Sequence, residues 1–284
     1  MSRARVFLAA GVLTTALVAA WVLRPDDRAG PCAVVEGPAA LPDIPEASGL
    51  AMSRRTPGVL WSHNDSGNAA VLFAIDSTGV VIGRVPIPIQ TRDWEDVSAA
   101  RCPGSDCLYV ADIGDNAMAR RSVRVYRLPE PAPGDAQTGP PEPFTATYAD
   151  GPHNAEALFV VGPDLYIVTK DRTGGLYRST LPTSGGHLTF QRVGELGLVA
   201  VTDAETSPDG ASVVVRTPDE VVVYRTADLT RGNRVPFLRL RVAGLKESQG
   251  EGVALSGDRL FLASEGRPWT GGGSIIGLRC SPAE

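Results

Sequence analysis

Apolar residues in this chain recur as short runs separated by Gly, Pro, Asp and Asn, with no long helical stripe. The stretch "HNAEALFVVGPDLYIVTK" (153–170) is representative. Two runs of strand formers flank a Gly162-Pro163-Asp164 turn, the signature of a hairpin. Glu156 stands ahead of the first run and Lys170 just past the second. The arrangement repeats. Glu46 opens "EASGLAM" before "VLWSHND", and Glu95 opens "EDVSAA" before "CLYVADIGDN". Asp203 opens "DAETS" before "SVVVRT", and Glu251 opens "EGVAL" before "RLFLASEG". The markers at 46, 95, 156, 203 and 251 are spaced by 49, 61, 47 and 48 residues. The longest interval holds "PEPAPGDAQTGPPEP" (129–143), read as a Pro-rich surface loop inserted into that repeat.

Each unit continues with a third strand signal ("VLFAID", "SVRVYRL", "GLYRST", "EVVVYRT", "SIIGLRC") and, in four of five cases, a fourth ("VIGRVPI", "FTATYA", "LTFQRVGEL", "VPFLRLRV"). No segment between markers carries a 3.6-residue apolar period long enough for a packed helix. Four antiparallel strands at a period of ~40–50 residues predict an all-β chain, specifically a five-bladed β-propeller. A β-sandwich gives no reason for the period, and a parallel α/β fold has no room for its crossover helices. The fifth unit runs out after three strands at Cys280. A strand before the first marker, "PCAVVEG" (31–37), is predicted to supply the missing outer strand and so to place Cys32 beside Cys280. Cys102 and Cys107 bracket the turn "PGSD", a natural hairpin-tip disulfide.

Four cysteines so disposed suit an oxidising compartment. Arg3 and Arg5 precede eighteen uncharged residues, 6–23, which Arg24, Pro25, Asp26 and Asp27 end sharply. Residues 1–24 therefore read as a signal-anchor or a cleaved signal peptide, 25–30 as a linker, and 31–284 as the propeller domain. The body is expected outside the cytoplasm, membrane-anchored or secreted. The net charge is −5, and because the first 24 residues hold three arginines and no acid, the remainder carries −8. That argues against nucleic acid as a partner. A monomer is expected.

Antiparallel pairing brings the start of a first strand beside the end of the second. Glu46 then meets His63, Asn64 and Asp65; Glu95 meets Asp112 and Asp115; Glu156 meets Lys170; Asp203 meets Arg216; Glu251 meets Glu265. If these strands line a central channel, all five units deliver carboxylates to one mouth. Two such groups ~6 Å apart repel by about 3 kcal/mol at an effective dielectric of ~20, so something must compensate. Lys170 and Arg216 cannot balance Glu46, Asp65, Glu95, Asp112, Asp115 and Glu265. A hard, oxygen-preferring ion fits, Ca²⁺ foremost. The candidate metal ligands are those six with Glu156, Asp203 and Glu251. The alternative is architectural: each repeated carboxylate accepts backbone N–H groups from the next unit. His63 and His153, in "SHNDSG" and "GPHNAE", are candidate acid–base groups. Asn64 and Asn154 join Lys170 and Arg216 as candidate substrate contacts. Trp61 and Trp94 read as core.

The stretches "PEASGLA", "LWSHNDSG", "RDWEDVS", "LYVADIGDN", "HNAEALFV", "LYIVTK", "SPDG" and "GEGVAL" resemble a family of bacterial extracytoplasmic β-propellers described as phytase-like or phytase-esterase-like. They span roughly residues 42–265. The resemblance implies a propeller fold. Through the more distantly similar propeller phytases, which have six blades, it implies Ca²⁺ in an acidic channel and cleavage of phosphomonoesters. In that scheme Lys170 and Arg216 hold phosphate. Three functions follow as expectations. The first is a propeller without established catalysis that binds a small anionic or protein ligand, Ca²⁺ or both at its acidic mouth, the ion held near Glu95, Asp112 and Asp115. The second is a Ca²⁺-dependent hydrolase of phosphate esters, or of lactones and other esters. The third is a structural interaction module that uses the 129–143 loop.

Overall fold

The computed structural model describes residues 28–29, 31–245, 247–266 and 272–281. The apolar segment 6–23 lies outside them. Among the described residues no helix is long and apolar enough to cross a membrane. The chain is all-β and its sheets are built from antiparallel hairpins, as the repeat predicts. Strands β1 (Arg28–Ala29) and β2 (Cys32–Leu41) lead into the first unit. That unit is β3 (Ala47–Met52), β4 (Val59–Asn64), β5 (Val71–Asp76) and β6 (Val81–Pro86). The second is β7 (Asp96–Cys102), β8 (Ser105–Asp112), β9 (Val123–Pro129) and β10 (Glu142–Tyr148). The third is β11 (Ala155–Val161), β12 (Asp164–Thr169), β13 (Gly175–Thr180) and β14 (Gly186–Glu195). The fourth is β15 (Asp203–Thr206), β16 (Ser212–Arg216), β17 (Glu220–Arg225) and β18 (Leu238–Arg241). The fifth is β19 (Gln249–Ser256), β20 (Arg259–Glu265) and β21 (Gly273–Cys280).

The fifth unit takes its outer strand from the start of the chain, in the order β1-β2-β21-β20-β19. Cys32 lies opposite Cys280 in the β2–β21 register and is disulfide-bonded to it. Cys102 and Cys107 form the second disulfide. Both pairs suit an oxidising, extracytoplasmic compartment.

Strand β3 reads as unbroken apolar and small residues because both its faces are covered, and it is buried at all six positions. Outer strands alternate, as in β6 and β18, where one face meets water. The first strands pack side by side in sequence, β3 on β7, β7 on β11, β11 on β15 and β15 on β19, and β19 returns to β3. Five apolar clusters fill the gaps between successive units. Trp61 and Trp94 sit in the one between units one and two. Leu50, Ile44 and Phe261 close the last gap, between units five and one.

The centre of this cycle is tied by two carboxylates. Asp203 Oδ2 accepts the N–H groups of Leu50 (3.1 Å) and Val253 (2.5 Å). Asp96 Oδ2 accepts that of Leu158 at 2.6 Å. Two side chains thus connect all five first strands. Burial, and next Asp203 beside it, hold Asp96 well above the usual carboxylate range, so it keeps a proton to share with Asp203.

Three features differ from the sequence expectation. Strand β10 pairs in parallel with β14, joining units two and three into one eight-stranded sheet. A five-residue helix, α1 (Thr226–Thr230), stands in the link from β17 to β18, where only strands are predicted. The 129–143 segment is not a free surface loop, and its last residues belong to β10. Glu130 is buried and accepts hydrogen bonds from Ser53 Oγ, Trp61 Nε1 (3.0 Å) and the Arg54 N–H (3.2 Å), which fastens the insertion to unit one. In the segment read as linker, Arg28 and Ala29 already pair with Ala33 and Cys32.

Candidate functional site: an acidic mouth

The mouth lies where first strands begin and second strands end. It is lined by Glu46, Asp65, Glu95, Glu156, Glu251 and Glu265, with Lys170 and Gln249, around a cavity of about 50 Å³. Irregularities in pairing aim two of the acids. The register of β11 on β12 shifts between Ala155 and Ala157, and that of β19 on β20 between Gly250 and Gly252. The extra residue is the carboxylate itself, Glu156 or Glu251, freed from the ladder to face the axis.

Asp93, absent from the sequence reading, completes the tightest group: oxygens of Asp65, Asp93 and Glu95 lie within 4.8 Å of one another. Its signal was available in "RDWEDVS". Residues two apart in extended chain share a side, so Asp93 accompanies Glu95. Gly114 makes room for them. A Cβ there would fall 2.0 Å from Glu95 Oε1 and 2.5 Å from Asp93 Oδ2, which only glycine avoids. Gln249 was also missed; its Nε2 donates to Glu251 Oε1 and Glu265 Oε2, both at 2.6 Å.

At 4.8 Å two ionised carboxylates repel by about 3 kcal/mol at an effective dielectric of ~20, so the cluster resists full ionisation. Burial, followed by the charges of Glu156, Asp65 and Asp93, pushes Glu95 up to about 10. Burial lifts Glu156 to about 7 although Lys170 pulls it down. Glu251, Glu265 and Asp65 are raised too, with burial the main cause in each. Burial opposes the charge on Lys170, but Glu156, at 2.5 Å, outweighs it and the ammonium persists.

Raised carboxyl groups bind protons more tightly in the folded state than in the unfolded chain. Their contribution to stability is complete below about pH 4.5 and disappears as pH climbs through about 7 for Glu156 and about 10 for Glu95. In chelator, the melting temperature should therefore fall steadily between pH 5 and pH 9, and Glu95→Gln should flatten the slope. A melting temperature independent of pH in the wild type would contradict the geometry of the cluster.

Several predicted site residues sit elsewhere. Asp112 and Asp115 do not reach the mouth. Asp112 Oδ1 accepts from Arg120 Nη1 (3.1 Å) and the Asp93 N–H (2.9 Å), and Asp115 Oδ2 accepts the Arg120 N–H (2.7 Å). An arginine five residues beyond Asp115 has drawn both acids away from the axis. Asn154 belongs to the same network, its Oδ1 accepting the Asp115 N–H at 2.8 Å. Asn64 is used locally, accepting the Glu46 N–H at 3.0 Å.

Asp203 lies deeper, at the centre, where its Oδ2 is taken by backbone N–H groups; for this residue the architectural reading describes the contacts. Arg216 pairs with Asp203 in register but does not line the mouth; it is fully buried. Its Nη2 donates to both oxygens of Glu247 at 2.8 Å, and Nη1 to the carbonyls of Gly252 and Ala263. His63 is buried and stacked on Trp94 with ring centroids 4.0 Å apart. Burial drives its pKa down to about 3, so it stays neutral, and it does not line the mouth. His153 lies in a surface cluster, its Nε2 within 3.0 Å of Asp150 Oδ1 and 2.8 Å of Tyr177 OH.

No protein-family model matches this chain, and no curated protein matches it.

Proposed function

We propose that this protein is an extracytoplasmic, five-bladed β-propeller of the phytase-like kind, tethered through residues 6–23, that binds Ca²⁺ at its acidic mouth. The cyclic packing of five strand units, with β2 completing the last, supports the propeller reading. The observation that carries the cation reading is the Asp65–Asp93–Glu95 group beside Glu46, Glu156, Glu251 and Glu265, with Lys170 the only cationic residue lining the cavity among the described residues. All its charged donors are carboxylate oxygens, the set a hard divalent ion selects, and the ion would relieve their mutual repulsion.

The geometry favours binding over hydrolysis. A cavity of about 50 Å³ accommodates an ion and a little water, far below the roughly 300 Å³ at which small-molecule sites begin. Arg216, His63 and His153, which a phosphoesterase scheme would employ, are engaged elsewhere. The 129–143 loop is packed on unit one, which weakens the interaction-module reading.

The test is calorimetric titration of the metal-stripped full chain, in mild detergent, with Ca²⁺ and separately with Mg²⁺. Wild type should bind Ca²⁺ with a rise in melting temperature. Asp93→Asn should weaken binding at least about tenfold, as loss of one charged ligand does, while Asp115→Asn should not change it. Absence of heat and of any thermal shift with either ion would overturn the proposal.

A further inference from the structure

At the opposite end of the cycle, where first strands finish, lies a second cavity of about 430 Å³. Its walls come from the ends of β7, β11 and β15, the hairpin turns at Gly162 and Gly210, and Arg54 just past β3. Two of its lining residues are arginines, Arg54 and Arg101. The Arg54 side chain is only 15% exposed. Its Nε donates to Asp106 Oδ1 at 3.1 Å, which anchors one edge of the guanidinium. Its two terminal nitrogens have no hydrogen-bond acceptor among the described residues, and Arg101 makes no ion pair among them. Guanidinium donors with no partner among the described residues, bordering a cavity of ligand size, are free to bind an acceptor from outside the chain.

We propose that this cavity binds a small organic carboxylate, its head group held by Arg54 and Arg101 and its apolar body lying against Ala99, Val160 and Pro208. The planar fork of Arg54 matches two carboxylate oxygens. The acid in the wall, Asp209, is already engaged: its Oδ1 accepts from Ser207 Oγ (2.6 Å) and the Ala211 N–H (3.0 Å). Beneath, the buried Glu205 accepts from Ser98 Oγ (2.5 Å) and the Ala99 N–H (3.1 Å) and is kept protonated by its burial, so it adds no repulsion. Asp106 and Asp209 offset the two arginines in the wider field. Recognition therefore rests on fork geometry and apolar contact rather than long-range attraction. The two ends of the ring select opposite ligands. A carboxylate is repelled by the acidic mouth and accepted here.

The full chain is titrated with benzoate, hexanoate, inorganic phosphate and, as the uncharged control, benzyl alcohol, followed by calorimetry and ligand-observed NMR. Benzoate or hexanoate should bind at least about tenfold more tightly than benzyl alcohol. Arg101→Gln, at an exposed position, should weaken that binding about fivefold or more, and Arg54→Lys, which keeps the charge but loses the fork, about tenfold. Should Arg54→Lys fail to fold, Arg101→Gln and the alcohol comparison decide the matter. Equal binding of alcohol and acid, tighter binding of phosphate than of either carboxylate, or no binding of any probe would overturn the proposal. So would loss of benzoate binding in Lys170→Met but not in the arginine variants, since the anion would then occupy the mouth. The inference does not depend on Ca²⁺ binding, and either can fail alone.

Discussion

Replacing Cys32 and Cys280 together by alanine is expected to destabilise the protein by about 5 kcal/mol, the largest effect of any pair of substitutions considered. The bond joins residues 248 apart. On the chain-entropy account, closing so long a loop removes about 5 kcal/mol of freedom from the unfolded chain, against about 2 for the loop between Cys102 and Cys107. The local setting adds to this. Strand β2 is the outer strand of the fifth unit, and the two cysteines face each other in its register with β21. Without the clasp, β2 is held to β21 by ladder hydrogen bonds and by Val34, Ala39 and Leu41 packed on the clusters beneath. Its release would expose the edge of β21. Guanidinium unfolding of the two double-alanine proteins is the measurement. Equal losses for the two disulfides, or a larger loss for Cys102–Cys107, would refute the view that the long-range bond closes the molecule.

Asp203→Ala is expected to cost about 2–5 kcal/mol, because it leaves the N–H groups of Leu50 and Val253 unpaired in a dry centre. Each lost partner costs about 1–3 kcal/mol. Asp203→Asn keeps an acceptor oxygen for both and offers a donor to Asp96, so it should be much milder. The pair also titrates. Burial lifts Asp203 to about 7 and holds Asp96 well above the usual carboxylate range. Both groups are raised above their unfolded values, so this contribution is complete below about pH 3.8 and is lost as pH rises through about 7. Asp203→Asn, which needs no shared proton, should retain more of its stability at pH 9 than the wild type does. Unfolding at pH 6 and pH 9 tests this, and an alanine variant as stable as wild type would show that these carboxylates do not tie the first strands together.

The two proposed sites differ in how far they could be foreseen. The acidic mouth was visible because its residues follow from strand direction: whatever precedes a first strand must meet whatever ends the second. Glu46, Asp65, Glu95, Glu156, Lys170, Glu251 and Glu265 assemble as that rule requires. The rule does not say which way a side chain turns. Asp112 ends β8 beside Glu95 by backbone, yet Arg120 captures it. Arg216 stands opposite Asp203 in register, yet Glu247 takes its guanidinium into the wall. Both captors come from connecting segments whose fold no periodicity predicts. His63 failed as a candidate for a related reason. Its neighbour in space is Trp94, and stacking removed it from water.

The order of apolar runs and turn residues was enough to determine the all-β class, the five-unit repeat, the borrowed outer strand and both disulfides. Those features depend on local periodicity and on the need to leave no strand edge open, which are written into neighbouring residues. Tertiary structure alone decided which predicted acids turn away from the mouth, which share a proton at the centre, and that two arginines from neighbouring units border a cavity at the far end. Burial and charge depend on what lies across a packed interface, and a linear pattern carries no record of that.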